Sequence, residues 1–464
     1  MEKFKFNHRF ILGITMVSAM GGLLFGYDWV VIGGAKPFYE RFFDITNSPY
    51  LQGWAMSSAL IGCLLGAILS GYFSDRYGRK IPLIAAATLF TVAAIGTGAV
   101  DRFTPFIIYR LIGGIGIGLA SAISPMYIAE ISPASMRGRL VSINQLTIVI
   151  GILAAQITNY LIAEEIPAGA TDEFILQSWN SQMGWRWMFW AGTVPAILFF
   201  IFSFFIPESP RFLAKTGRWK EADTILKRIG GVQYSAHEQK EIADTLKEGD
   251  NQLEWQALTS TKIRPVLILG IVLAVFQQWC GINVIFNYAE EIFTSAGYSV
   301  GDMLFNIVIT GTVNLVFTLL AMRMVDSWGR RKLMLLGAAG LSVIYFLLGS
   351  SYFFKVEGVA ILVLVLLAIA TYAMTLAPVT WVVLSEIFPN RIRGAAMSVA
   401  TTALWIACFV LTYTFPILNE MLKASGTFWL YGLICLSGFL FIFRKLPETK
   451  GKSLEELEGL EELK

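Results

Sequence analysis

Charge is what this chain has least of. Only 15% of its 464 residues are Asp, Glu, Lys or Arg, against about 25% in an ordinary soluble domain. That shortfall excludes a string of water-soluble domains, each wrapped in its own polar surface. Histidine is nearly missing: His8 and His237 sit apart in charged segments and exclude a His-based metal centre. The four cysteines, Cys63, Cys280, Cys408 and Cys435, all fall in apolar stretches and read as small core residues, not as a disulfide framework or a metal site. A net charge of +3 is too small to point to nucleic acid. The first apolar segment carries an acidic residue and no small-residue cleavage site, so no removable leader is expected. Gly113-Gly114-Ile115-Gly116-Ile117-Gly118 superficially suggests a phosphate loop, but it follows no strand and lies inside an apolar span, which suits close helix packing. With neither a nucleotide loop nor a metal cluster, the sequence gives no support to an enzyme and calls for no cofactor.

What the chain does have is long apolar runs: 55% of it is hydrophobic and its mean hydropathy is +0.62. A bilayer core of about 30 Å takes roughly 20 residues of helix to cross. Reading on that basis predicts spans near 10–33, 53–73, 81–100, 105–127, 140–163 and 187–206, then 265–290, 303–325, 333–353, 359–384, 395–418 and 427–444. Lys and Arg set the orientation. With the N-terminus inside, inner segments hold 29 of the 36 basic residues and outer loops hold six: Lys36, Arg41, Arg102, Arg186, Lys355 and Lys423. One, Arg110, lies well inside a span, and Arg323 and Arg444, counted with the inner segments, stand at inner span ends. Both termini are therefore expected in the cytoplasm.

The chain also repeats itself. Glu130-Ile131-Ser132-Pro133 with Arg137-Gly138 returns as Glu386-Ile387-Phe388-Pro389 with Arg393-Gly394, 256 positions on (386 − 130). Asp75 to Arg79 returns as Asp326 to Arg330, and Pro207-Glu208-Ser209 as Pro447-Glu448-Thr449. Three motifs recurring in one order mean a duplicated half, the plan on which many transporters build a site between repeats. The expected fold is an all-α membrane protein of twelve transmembrane helices in two six-helix bundles, 1–206 and 265–446. Helical patterning within 207–264, broken at Gly230-Gly231, predicts a cytoplasmic helical linker, and leucines at every third residue predict a tail helix in 447–464.

These repeated loops, the Pro207-Glu208-Ser209-Pro210-Arg211 segment and Gln277-Gln278 with Gly281-Ile282-Asn283 closely resemble the sugar porter family of the major facilitator superfamily. The resemblance runs through nearly the whole chain. Within the family it is nearest to the xylose–proton symporters of bacteria and the facilitative glucose transporters.

The resemblance gives roles to the charged and polar residues. Arg79, Glu130 and Arg137, with their copies Arg330, Glu386 and Arg393, are expected to form salt bridges at the inner helix ends that favour the state closed on the inside. An arginine fork suits a carboxylate for such a bridge. Asp28 lies about 27 Å along a span entering from inside and Arg110 about 8 Å along one entering from outside, so their depths are compatible. Ionisable residues there are rare and functional. In the symporters of the family the acidic residue of Phe25-Gly26-Tyr27-Asp28 binds the proton and the arginine modulates it, whereas facilitative members carry a neutral residue.

For the sugar, the implied ligands are Gln145, Gln277, Gln278, Asn283 and Asn314, amides that both donate and accept without charge. Trp381, Trp405 and Phe25 are the implied apolar walls. Four positions depart from the family: Ile152 and Leu404 replace glutamines, Asn287 a tyrosine and Ala377 a glycine. Trp29, just after Asp28, is also unusual. The function implied is symport of a neutral monosaccharide, hexose or pentose, with a proton by a functional monomer in the cell membrane, that of the bacterial inner membrane. The alternatives are a facilitative uniporter and a polyol or inositol symporter. A sugar sensor fits poorly, since sensors of this fold carry long cytoplasmic tails.

Overall fold

The computed structural model describes residues 4–167, 170–248, 258, 260, 263–388 and 392–448. Every regular element among them is helical, as lipid requires of an open chain, because a helix satisfies its own backbone donors and acceptors where no water can. In the first half these are α1 (His8–Phe42), α2 (Pro49–Tyr77), α3 (Lys80–Ala99), α4 (Phe103–Ile131), α5 (Arg137–Ile162), the short α6 (Asp172–Gln177), α7 (Trp185–Ala191) and α8 (Thr193–Ser203). A π-helical turn, Asn180–Gly184, leads into α7. Two further helices follow, α9 (Pro210–Lys215) and α10 (Trp219–Glu248). The second half has α11 (Arg264–Trp279), α12 (Ile282–Asn287), α13 (Ala289–Thr294), α14 (Val300–Trp328), α15 (Arg330–Phe353), α16 (Val359–Met374), α17 (Leu376–Ile387) and α18 (Arg393–Lys445).

Among the described residues eleven helical stretches are long and apolar enough to cross a membrane. The last is interrupted at Lys423 (φ 60°, ψ 171°) and so holds two crossings, which brings the total to the twelve expected. Two spans are broken at or near residues that favour bends. The seventh is divided into α11, α12 and α13, with Gly281 in the left-handed region (φ 85°) and Tyr288 off the helix (φ −120°, ψ 29°). The tenth breaks at Thr375 (φ −124°, ψ −86°), just before Pro378. One difference from expectation lies at the far end of α1: Lys36, counted above with the outer loops, is inside the helix and 2% exposed.

The helices sort into two compact units. One comprises Met1–Asp28, Ile61–Ile152 and Phe189–Asn251, the other Trp29–Leu60, Leu153–Met188 and Gln252–Lys464. In the first, α3 lies along α4 and α8, and the glycine run of α4 lies against α2. A Cβ on Gly118 would stand 2.2 Å from the Cys63 carbonyl, so the two backbones approach as small residues allow. In the second, α15 and α11 both lie against α18.

The linker is a folded layer of the first unit. Ser209 caps α9 by accepting from the Phe212 N–H at 3.4 Å, with Pro210 in the first turn. Leu213, Ala222, Ile225, Leu226 and Ile229 then bury themselves against Ile11, Ala19, Ile128 and Leu140. Each large side chain so buried contributes about 1.5–3 kcal/mol. Gly231 (φ 83°) kinks α10 at the glycine pair, and beyond it Tyr234 receives the rings of Phe4 and Phe6 at 5.5 and 5.4 Å. The tail helix expected in 447–464 lies outside the described residues, apart from 447 and 448.

Candidate functional site

Asp28 and Arg110, expected at compatible depths and paired by the family resemblance, meet in the first unit. An Nη1–H of Arg110 donates to Asp28 Oδ1 at 2.8 Å. The arginine is 3% exposed and its guanidinium lies over the Phe189 ring, 5.7 Å from the centroid. Asp28 Oδ2 is buried and makes no hydrogen bond. One carboxylate oxygen is thus held by the arginine while the other has no hydrogen-bond partner. Gln145 and Phe25, also in this unit, are half-buried on α5 and α1.

In the second unit the broken seventh span gathers three of the expected amides. Gln278 Nε2 donates to Gln277 Oε1 at 2.7 Å, and Asn283 Nδ2 donates to Gln278 Oε1 and, at 3.4 Å, to Cys408 Sγ. Gly281 makes this possible. Its left-handed turn, packed on the Tyr431 ring, carries the chain from α11 into α12. The result is a relay with a spare donor, the Gln277 NH₂, at one end and a spare acceptor, the Asn283 carbonyl, at the other. A hydroxyl both donates and accepts, and such a pair of ends can take one at each. Gln277 and Gln278 are 4% and 8% exposed. Asn314 is buried within α14, Trp405 is buried and Trp381 is exposed. Trp405 packs against Trp29, ring centroids 6.2 Å apart. Of the departures from the family pattern, Leu404 and Asn287 are buried in this unit and Ile152 in the first.

The repeated loops form the two expected arginine–carboxylate contacts. Arg79 Nη2 meets Glu130 Oε1 at 2.7 Å and Arg330 Nη2 meets Glu386 Oε1 at 3.1 Å. Arg137 is exposed, and its charge acts on Glu238 and Tyr234 of α10. Arg393 opens α18, and its side chain lies outside the described residues. In that linker, burial holds the Glu238 carboxyl above the usual carboxylate range; Glu241 adds to the effect and Arg137 opposes it. Asp223 goes the other way, held low by hydrogen bonds from Lys227 and Ser235.

Sequence reasoning gave no role to Glu208 and Glu448, although both stand in the third repeated motif. Glu208 Oε1 accepts from the Arg79 N–H at 2.8 Å and Glu448 Oε1 from the Arg330 N–H at 2.9 Å. Each carboxylate caps the helix that begins at the loop arginine. Each also leans on a glycine of positive φ, Gly78 (83°) and Gly329 (87°), where a Cβ would stand 2.2 and 2.9 Å from the carboxylate. The recurrence of the motif was the signal for the role.

Comparison with known proteins gives the family. The family described as "Sugar (and other) transporter" matches residues 14–460. The D-xylose-proton symporter of Escherichia coli K12 is 39% identical, over 98% of this chain and 96% of its own. The arabinose-proton symporter of Bacillus subtilis is 38% identical, over 97% and 95%. Among solved structures, the inward open conformation of the xylose transporter XylE from E. coli superposes with a TM-score of 0.85 at 38% identity, covering 97% of this chain and 99% of that one. A family match over residues 14–460 and relatives 38–39% identical along nearly their whole lengths show a multi-pass membrane transporter and not an enzyme: the chain belongs to the sugar transporter family.

Proposed function

We propose that this protein carries a neutral monosaccharide, hexose or pentose, into the cell together with a proton, by alternating access. The observation that carries the reading is the buried contact of Asp28 with Arg110, since an ionisable residue inside a span is rare and by default functional and facilitative members of the family carry a neutral residue there. Relatives named for proton symport of D-xylose and arabinose support it. The two repeats, 1–206 and 265–446, move as the rocking bodies. The protein works as a monomer in the cell membrane, the inner membrane of a bacterium, with both termini in the cytoplasm.

The chemistry follows from the geometry. A proton arriving at Asp28 neutralises the carboxylate and loosens its hold on Arg110, and only the neutral form lets the loaded carrier reorient. The sugar's hydroxyls engage Gln277, Gln278 and Asn283, with Gln145 and Asn314 completing the ligand set and Trp381, Trp405 and Phe25 walling the ring. Ile152 and Leu404 offer no hydrogen bond, so the substrate is one that does without two of the family's amide contacts. Arg79 with Glu130 and Arg330 with Glu386 hold the inner side closed, and Arg137 and Arg393 act with them.

The test is sugar-induced alkalinisation of a weakly buffered cell suspension. Proton entry with each added sugar supports symport. Sugar transport without proton movement, and equally fast with the gradient collapsed, would make the protein a uniporter. A panel of competing sugars and polyols in proteoliposomes then identifies the cargo.

A further inference from the structure

The strongest feature that the transport site does not use is at the end of α1 away from the repeated charged loops, the external end on the reading above. There Lys36 is 2% exposed, and its side-chain ammonium meets three carboxylates: Glu291 Oε1 at 2.6 Å, Glu290 Oε2 at 3.0 Å and Glu40 Oε2 at 3.1 Å. An ammonium has three N–H donors and here each has a carboxylate acceptor. All four residues belong to the second compact unit. They come from both repeats, Lys36 and Glu40 from the first and Glu290 and Glu291 from α13 in the second.

We propose that Lys36 is an outer gate residue, whose ammonium latches the first repeat to the broken seventh span of the second and must release Glu290 and Glu291 before the transporter opens outward.

Three features fit a latch better than a permanent brace. Glu40 is on the same helix, one turn from Lys36, so on opening the lysine keeps a partner and travels as a neutral pair. The side chains of Glu290 and Glu291 are already 17% and 21% exposed, so water can reach them as the contact parts. Their segment is a six-residue helix beginning at the irregular Tyr288, whose ring lies 5.9 Å from the lysine nitrogen and whose hydroxyl donates to the Thr412 carbonyl at 2.7 Å. The nearby Arg41 does not compete for the cluster: it donates to the Pro37 carbonyl and to Asp172. With one cation among three carboxylates, removing the lysine leaves like charges facing each other in a buried place, which drives the two repeats apart.

The proposal rests on alternating access but on neither the identity of the sugar nor the proton at Asp28. Its test therefore reads distance. Spin labels at Asn47→Cys and Val359→Cys, exposed sites in the first and second repeats, report the outer opening by pulsed electron resonance. The four native cysteines are buried and leave the labelling to the introduced pair. Lys36→Met should raise the ratio of long to short distances by on the order of a hundredfold. Lys36→Arg should keep the wild-type distribution. The exchange Lys36→Glu with Glu291→Lys rebuilds one cation among three carboxylates and should restore the short distance. Where Lys36→Met does not fold, Glu290→Gln with Glu291→Gln serves in its place and should shift the ratio in the same direction by less. An unchanged distribution in a folded Lys36→Met, or in the double glutamine variant, would overturn the latch.

Discussion

Asp28 and Asn283 occupy matching places in the two repeats. They are 255 positions apart (283 − 28), within the spacing of the repeated loops, and each follows a glycine by two residues. The duplicated plan has diverged there. The first copy has a carboxylate on an α1 that runs from His8 to Phe42, and it faces Arg110. The second has an amide just past the break of the seventh span, joined to Gln278 and Gln277. An ion pair needs a fixed depth and a fixed partner, which an unbroken helix supplies. A hydroxyl-binding relay needs side chains turned to one place, which a left-handed glycine supplies. The loops kept their shared chemistry because both copies need the same helix caps. The middle of the membrane did not: there one copy holds an ion pair and the other an amide relay.

The largest expected effect comes from erasing that difference. Asp28→Asn makes the first copy chemically like the second and mimics a carboxylate that is always protonated. Uphill accumulation should vanish, while counterflow exchange and sugar binding persist. Accumulation in energised vesicles checks it, and retained accumulation would remove Asp28 from coupling. The reciprocal Asn283→Asp puts a charge at the end of the amide relay and should abolish sugar binding at neutral pH.

Next in size is Gln278→Ala, which cuts the relay at the one residue that both donates and accepts within it. Losing one partner from a buried hydrogen bond costs about 1–3 kcal/mol, so half-saturation should rise roughly 5- to 150-fold. An unchanged half-saturation for every transported sugar would move the binding site elsewhere. The loop networks should respond less evenly. The side chains of Arg79 and Glu130 are each 10% exposed and 2.7 Å apart, those of Arg330 and Glu386 are 14% and 27% exposed and 3.1 Å apart. Screening weakens the second pair more, so Arg79→Ala should lower the melting temperature of the purified protein further than Arg330→Ala.

Much of this could be read from the chain, and for definite reasons. Apolar runs of about 20 residues dictate helices in lipid, so the spans fell near their places. Asp28 and Arg110 could be paired because a helix converts residue number into depth. Lys36 was misplaced because hydropathy cannot tell a helix that leaves the lipid from one that continues inside protein. Beyond Glu40 on the same helix, only the chain fold brings Glu290 and Glu291, more than 250 positions away. The break at Thr375 lies just before Pro378, whose ring clashes with the preceding turn and whose missing N–H frees a carbonyl there, whereas the one at Tyr288 has no glycine or proline beside it. Arg137 looked like the partner of Glu130 by repeat, yet Glu130 is engaged by Arg79 and by the Ser209 hydroxyl.

That last displacement gives the smallest prediction. The Arg137 charge acts on Glu238 of α10, a carboxyl held above its ordinary range chiefly by burial, with Glu241 adding and Arg137 opposing. A carboxyl whose folded value is raised supports docking fully below its unfolded value, about 4.3, and loses that contribution as pH rises through the folded value. At neutral pH the Glu238 charge therefore works against the docked linker, the reverse of Asp223, whose lowered value, from partners within α10, favours the folded linker as pH rises. Glu238→Gln removes the opposing charge and should slow hydrogen exchange across 219–244 at pH 7.5 by a few fold, with little change at pH 4. Arg137→Ala should do the opposite, since it takes away the one nearby arginine that offsets the burial. Exchange is compared after correction for its intrinsic pH dependence. If Glu238→Gln and wild type gave the same profile between pH 4 and pH 7.5, Arg137 would have no electrostatic hold on the linker, and its place in gating would have to be sought at Glu130 after all.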